Sequence, residues 1–214
     1  RRTLPQALAT INAHLVLAFA QNENLETAKL HVQQIDELRL PAEESEAVRE
    51  RACTPLHGRI SAAKETCLDD VQREPTTGAE RIAALLRVTQ PSLYSLKAFF
   101  NRSDHRRSDY FDAVCETGVE CIRLYVNESE DWNACIPVLE KLVSLAHSQE
   151  TIDKALAAYV KVVRTAAIRS FDACCMSLSD GSLTSAQLLE QIRTRIIPEI
   201  ESGISHDRAS GSPP

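Results

Sequence analysis

Six histidines, seven cysteines and one run of arginines are the side chains through which this chain could do chemistry. His14, His31, His57, His105, His147 and His206 are scattered, with no two at i, i+4 and no Glu three places before any of them. A zinc-protease helix needs the first spacing and a di-iron bundle the second, because those offsets put two ligands on one helix face. His14 lies nearest an apolar face, where it reads first as an edge histidine and second as a base. Among Cys53, Cys67, Cys115, Cys121, Cys135, Cys174 and Cys175, no pair has the two-to-four-residue separation that structural zinc sites use twice. Adjacent Cys174 and Cys175 point about 100° apart on a helix, and Cys115 and Cys121 are badly placed to face each other. Cys53 and Cys67 share a helix face but stand about 21 Å apart, too far to bridge. The thiols therefore read as small hydrophobes, with a redox role for Cys174 or Cys175 as the alternative. The glycines are too dispersed for a phosphate loop, and no Gly-x-Ser-x-Gly turn occurs. Carboxylate pairs such as Glu43-Glu44 and Asp69-Asp70 read as solvated helix surface. No catalytic residue, metal ligand or cofactor is assigned, and the chain is expected to be non-catalytic.

The sharpest charge feature is Arg102, His105, Arg106 and Arg107, on a polar run from Asn101 to Ser108. Guanidinium groups so close together can dock an acidic peptide or a phosphate. The competing reading is a solvated loop ahead of a helix capped by Ser108. Arg164, Arg169, Arg193 and Arg195 extend a positive face if the last two helices are neighbours.

The elements that must position these residues are helices. In 214 residues, 43% are hydrophobic and 25% charged, which suits a globular chain with a sizeable core. Six Gly and nine Pro are too few for the turns of an all-β fold. The net charge of −6 argues against a nucleic-acid partner. No apolar run reaches the roughly 18 residues of a membrane span, and no signal-peptide succession is present. Unpaired thiols favour a cytoplasmic setting, in which the sequons at Asn101 and Asn127 are chance. The opening Arg1-Arg2, without an initiator Met, is expected of a segment excised from a longer protein.

Apolar residues at steps of three and four organise Tyr110 to Leu178 into three antiparallel helices, separated at Asn127–Asp131 and Ser148–Glu150. Pro137 makes the first turn of the middle helix irregular, or starts the regular helix there. Upstream, Thr3 caps a helix whose stripe is Leu8, Ile11, Leu15, Ala18 and Phe19, and Asn22-Glu23-Asn24 turns it into an antiparallel mate ending before Pro41. The pattern from Glu43 to Val71 runs through Pro55, giving one kinked helix or two joined near Pro55 to Gly58. A Thr of Pro75–Gly78 caps the next helix, and Pro91-Ser92 separates it from another over Leu93 to Phe100. Leu183, Ala186, Leu188, Leu189, Ile192 and Ile196 mark a last helix after the turn Ser179–Ser182.

Two hairpin junctions share a layout: Asn22-Glu23-Asn24-Leu25-Glu26-Thr27-Ala28 and Asp180-Gly181-Ser182-Leu183-Thr184-Ser185-Ala186. A near match is Ser129-Glu130-Asp131-Trp132-Asn133-Ala134. A small residue one turn into a second helix lets two helices approach closely, and Phe19 and Tyr125 stand where the first helix carries its large residue. The layout resembles tetratricopeptide-type helical repeats, although Val16 takes the small-residue place and the intervals do not hold near 34. The stretch Tyr125–Trp132 is also similar to helical segments accompanying J-domains of bacterial co-chaperones, without the His-Pro-Asp of a J-domain.

The fold expected is all-α, with about eight helices in antiparallel hairpins as a superhelix or irregular bundle. It forms one domain over residues 1–204, with sub-units 1–100 and 101–204 as an option, and residues 205–214 form a tail or linker. The function expected is a protein-interaction or scaffold module of a larger protein, receiving a peptide or helix in a groove between hairpins. Asn12, Phe19, Arg102, Arg106, Arg107 and Tyr125 are the candidate partner-binding residues, and self-association stays open. The alternative is a bundle holding a small apolar ligand or lipid in an internal cavity lined by Phe99, Phe100, Phe111 and Tyr159.

Overall fold

A computed structural model describes residues 3–179, 184–198 and 201, which contain eight α-helices and no strand. The fold is all-α. Helix α1 (Leu4–Gln21) opens on a capping box: Gln6 N donates to Thr3 Oγ1 at 3.5 Å, and Thr3 N donates to Gln6 Oε1 at 2.9 Å. Glu23 turns the chain in the left-handed region at φ 62°, and Asn24 caps α2 (Leu25–Glu37) by accepting from Thr27 N at 3.1 Å. So short a turn leaves α1 and α2 antiparallel and in contact along their lengths.

The buried face of α1 is Ala9, Ala13, Val16 and Ala20, not the stripe of large residues. Leu8, Ile11 and Leu15 are 40%, 55% and 36% exposed, Ala18 is exposed, and Phe19 is half-buried. Small residues let α1 lie close against α2, α3 and α4 at once, and no charged residue in α1 marks the other face as the wet one. Packing distance decided the orientation; side-chain size did not.

Two helices run through an internal proline, as one of the two readings at Pro55 had it and against the break expected at Pro91. Helix α3 (Ala42–Arg73) is continuous through Pro55, whose ring lies on an exposed position while Cys53, Leu56 and Ile60 are buried. Helix α4 (Gly78–Phe99) is likewise continuous through Pro91, so the expected separate helix over Leu93 to Phe100 is its second half. Each proline forfeits one backbone donor, and burial on both sides of it offsets that loss. Between α3 and α4, Pro75–Thr77 forms a single 3-10 turn; the Thr77 hydroxyl bonds Glu74 O at 2.9 Å and does not cap.

Helix α5 (His105–Ser129) starts ahead of Ser108, because Asp104 is its cap and accepts from Arg106 N at 3.0 Å. After a 3-10 turn at Asn133–Cys135, α6 (Ile136–Leu145) carries Pro137 in its first turn, as expected. Helix α7 (Gln149–Ser179) buries Ala155, Leu156, Tyr159, Val162, Val163, Ala166 and Ala167, but Phe171 is 43% exposed. The helix also contacts α8 (Ser185–Gln191) and the π-helical turn Ile192–Ile196. The expected turn at Ser179–Ser182 lies mostly outside the described residues, and the expected tail at 205–214 lies wholly outside them.

Helix α4 is the hub, in contact with α1, α2, α3, α5 and α6. Two glycines set how closely helices approach. A Cβ on Gly78 would lie 2.6 Å from Tyr125 Cβ, and one on Gly118 would lie 2.6 Å from Leu142 Cδ2. The first obstacle is anchored to backbone and the second is a rotatable methyl. Gly78→Ala should therefore lower stability by about 1–3 kcal/mol. Gly118→Ala should cost less, as the helix gains up to about 1 kcal/mol over glycine. Urea unfolding of both variants measures the difference.

Candidate functional site

The basic cluster of the sequence is split by the helix it begins. Arg106 turns one way and is consumed by structure. Its Nε and Nη2 donate to Asp104 Oδ1 and Oδ2 at 2.9 and 2.6 Å, its Nη1 pairs with Glu46 of α3, and its guanidinium covers Phe100 at 4.2 Å. Such a fork locks the start of α5 onto α3. Arg107, about 100° round the helix, faces different neighbours. Its Nη1 donates to Phe100 O at 3.3 Å and its Cζ lies 5.5 Å from the Phe111 centroid, with no carboxylate partner among the described residues. Arg102 and His105 are exposed.

The ring of Phe111 gathers what the sequence kept apart. Lys97 Nζ of α4 lies 5.4 Å from its centroid, and the His147 ring stacks on it at 4.4 Å. Burial holds the Lys97 ammonium below its ordinary pKa, and neighbouring Arg107 adds to the shift. Burial and then Arg102 lower Arg107 in the same sense. His147 is lowered by burial, then by Arg107 and Arg102; Asp112 opposes them and Lys97 adds to them. The Asp112 carboxylate is itself engaged, accepting from His147 N at 2.7 Å and Ser148 N at 3.0 Å. Arg107 Nε and His147 Nδ1 are buried without a hydrogen-bond partner. The result is a cationic cluster short of carboxylates.

Lys97 and Phe111 also edge a surface trough of about 330 Å³ along α4 and α6. Leu86, Leu93, Val138 and Leu145 supply an apolar lining, and Arg87, Lys97 and Lys141 supply three cations with no lining carboxylate. None of the three has a carboxylate partner among the described residues. A second trough of about 410 Å³ between α3 and α4 differs in charge, because its Arg81 is paired with its Asp70 at 3.3 Å.

The other sequence-predicted residues are not brought to this place. Asn12 and Phe19 both meet His31 inside the first hairpin, through a 2.9 Å contact between Asn12 Oδ1 and His31 Nδ1 and a 5.4 Å ring stack. Tyr125 is 6% exposed and packs on Gly78, so it belongs to the core. His14 is exposed. Of the aromatics expected around an internal cavity, Phe99, Phe100, Phe111 and Tyr159 are all buried in one continuous core, and Phe111 alone also lines the trough. Lys97 and His147 were missed because they lie 50 residues apart in sequence, and only packing brings them together.

Burial pushes the Cys53, Cys115 and Cys135 thiols up to about 12, so they stay protonated and unreactive at neutral pH. Cys67 and Cys121, on α3 and α5, approach to 3.8 Å between sulfurs. That hydrogen bond, with burial, holds Cys121 well above the usual thiol range. Among the described residues no three His, Cys, Asp or Glu side chains are grouped to hold a metal ion, and no helix is long and apolar enough to cross a membrane.

Cys174 and Cys175 are half-buried, while the other five thiols are buried. A thiol reagent such as DTNB should therefore titrate two cysteines quickly in the native protein. The rest should respond at the rate of opening, led by Cys67 at the edge of the second trough. All seven should react at once in denaturant.

Comparison of the chain with protein-family models, with curated proteins and with solved structures finds no match.

Proposed function

We propose that this chain is a non-catalytic protein-interaction module whose trough along α4 and α6 receives an amphipathic, acidic peptide or helix of a partner protein. The observation that carries this reading is the lining itself: an apolar floor bordered by Arg87, Lys97 and Lys141 with no carboxylate between them. In a chain of net charge −6, three unpaired cations around apolar side chains are a local reversal of the overall field. Apolar anchors at i, i+3 or i+4, and i+7 of a partner helix would fill the floor, and its acidic residues would meet the rim. The floor would supply most of the affinity, while the rim would set orientation, partner choice and association rate. Arg107 shares the Phe111 ring with Lys97, so part of the basic run of the sequence extends the positive surface from that end of the trough.

Displayed random peptides selected on the wild-type protein, then measured on Arg87→Glu/Lys141→Glu, test the reading. Both side chains are exposed, so the variant should keep the helicity and melting temperature of the parent. Enriched peptides should combine apolar residues at helical spacing with Asp or Glu. They should bind the variant at least about tenfold more weakly, given two lost charge pairs. A selection that enriches nothing, or peptides indifferent to the variant, would remove the trough from the account.

A further inference from the structure

Resting on that reading, we infer that the cluster around Phe111 is a phosphate subsite at one end of the trough. Lys97, Arg107 and His147 take the dianionic phosphate monoester of a phosphoserine or phosphothreonine in the bound segment, and exposed Arg102, on the same polar run as Arg107, adds positive charge beside them. Three geometric facts carry it. Lys97 and Arg107 both lie within 5.5 Å of the Phe111 centroid, and the His147 ring is stacked on it at 4.4 Å, so three nitrogen-bearing groups surround one ring. Lys97 and Phe111 also line the trough, so a segment lying there passes the cluster. The one carboxylate among these groups, Asp112, is already bonded to the backbone N–H groups of His147 and Ser148. Arg107 and His147 each retain a buried nitrogen without a partner.

A peptide carboxylate would neutralise one charge of such a cluster. A phosphate monoester carries nearly two and offers three acceptor oxygens to guanidinium, ammonium and imidazole donors. Arg106 is excluded from the subsite because Asp104, Glu46 and the Phe100 ring already hold it. His147 adds a sign that can be read. Burial and the charges of Arg107, Arg102 and Lys97 disfavour its proton, and Asp112 favours it. A bound dianion adds to the Asp112 side, so the His147 midpoint moves up on binding.

The test has two arms. In the first, inorganic phosphate is titrated into the labelled protein while the His147 ring and Lys97 ammonium resonances are followed. Saturable shifts and a raised His147 midpoint are expected, with half-saturation on the order of 1 mM. Arg102→Gln should weaken binding about fivefold, the upper range for one surface ion pair. Arg102 is exposed, and its side chain makes no hydrogen bond or ion pair among the described residues, so this variant should fold normally. Lys97→Gln should do at least as much. In the second arm, a degenerate peptide library with one fixed phosphoserine is compared with the same library carrying serine. The phosphorylated library should be retained preferentially, and the preference should fall with Arg102→Gln. No shift at tens of millimolar phosphate would overturn the subsite while leaving the trough reading intact. Shifts without any preference for phosphopeptide would overturn the partner and leave only a free-phosphate site. Loss of all peptide binding in Arg87→Glu/Lys141→Glu, with the phosphate shifts kept, would support the subsite as separate from the trough rim.

Discussion

Everything in this fold depends on the enclosure of the second half of α4. From Pro91 to Phe100 no residue is exposed, and the half-buried ones, Pro91, Tyr94 and Lys97, share the face that borders the trough. A helix buried on all but one face needs several neighbours at close range, and α1, α2, α3, α5 and α6 all supply part of the wall. Ser92, Ser95 and Ala98 keep that wall close. The buried hydroxyls do not strand polar atoms: Ser95 Oγ donates to Pro91 O at 3.0 Å and Thr89 Oγ1 to Leu85 O at 2.8 Å. Lys97 is the single charged residue in the stretch. Its stem lies in the packed layer and its ammonium ends between the Tyr94 and Phe111 rings, at 5.1 and 5.4 Å. The packing that builds the core therefore also fixes a half-buried cation at the edge of the trough.

Periodicity made the all-α class and most of the helices legible, because it records which residues must avoid water wherever the polar face is well marked. For α6 and the first five turns of α7 the apolar spacing picked out the buried face, and Pro137 marked the irregular start of α6. It failed on α1, where nothing charged marks a wet face and the large residues look like the stripe. The face used there is the one that lets three other helices come near. The three alanines of the repeated layout make the same point: Ala28 is buried, Ala134 half-buried and Ala186 exposed, so one local pattern occupies three environments. Pro91 was misread for a related reason. A proline's cost is local and visible in sequence, whereas the burial that offsets it is distributed over five neighbouring helices.

The site was legible in composition and hidden in direction. Arginines at 102, 106 and 107 announce positive charge, yet adjacent helical residues point a quarter turn or more apart. Only with Asp104 recognised as the cap does it follow that Arg106 and Arg107 must face different neighbours. Asp104 was readable as a cap, since Asp is a preferred residue there and a helical stripe follows. Preferring Ser108 pushed both arginines into a loop, where neither direction could be argued. Lys97 and His147 had no such signal, because their meeting on Phe111 is a product of α4, α5 and the α6–α7 junction packing together. Tyr125 was a large residue at the right place in a hairpin pattern, but Gly78 leaves a space that its Cβ and ring fill.

Charge distribution separates the two troughs more firmly than their size. Where Arg81 meets Asp70, the field closes on itself, and a ligand must break that pair to use either group. At Arg87, Lys97 and Lys141 the field stays open, and burial, then Arg107, lowers the Lys97 pKa as burial, then Arg102, lowers that of Arg107. Like charges held together cost free energy in the unliganded protein, and an anion that relieves them recovers that cost on binding. In an acidic chain the repulsion would also be the steering: the acidic partner proposed above would be turned away from most of the surface and admitted along one side. The same rise in ionic strength that screens this attraction would leave the apolar floor untouched. For the proposed partner the two contributions would thus act at different stages, the rim on encounter and the floor on retention.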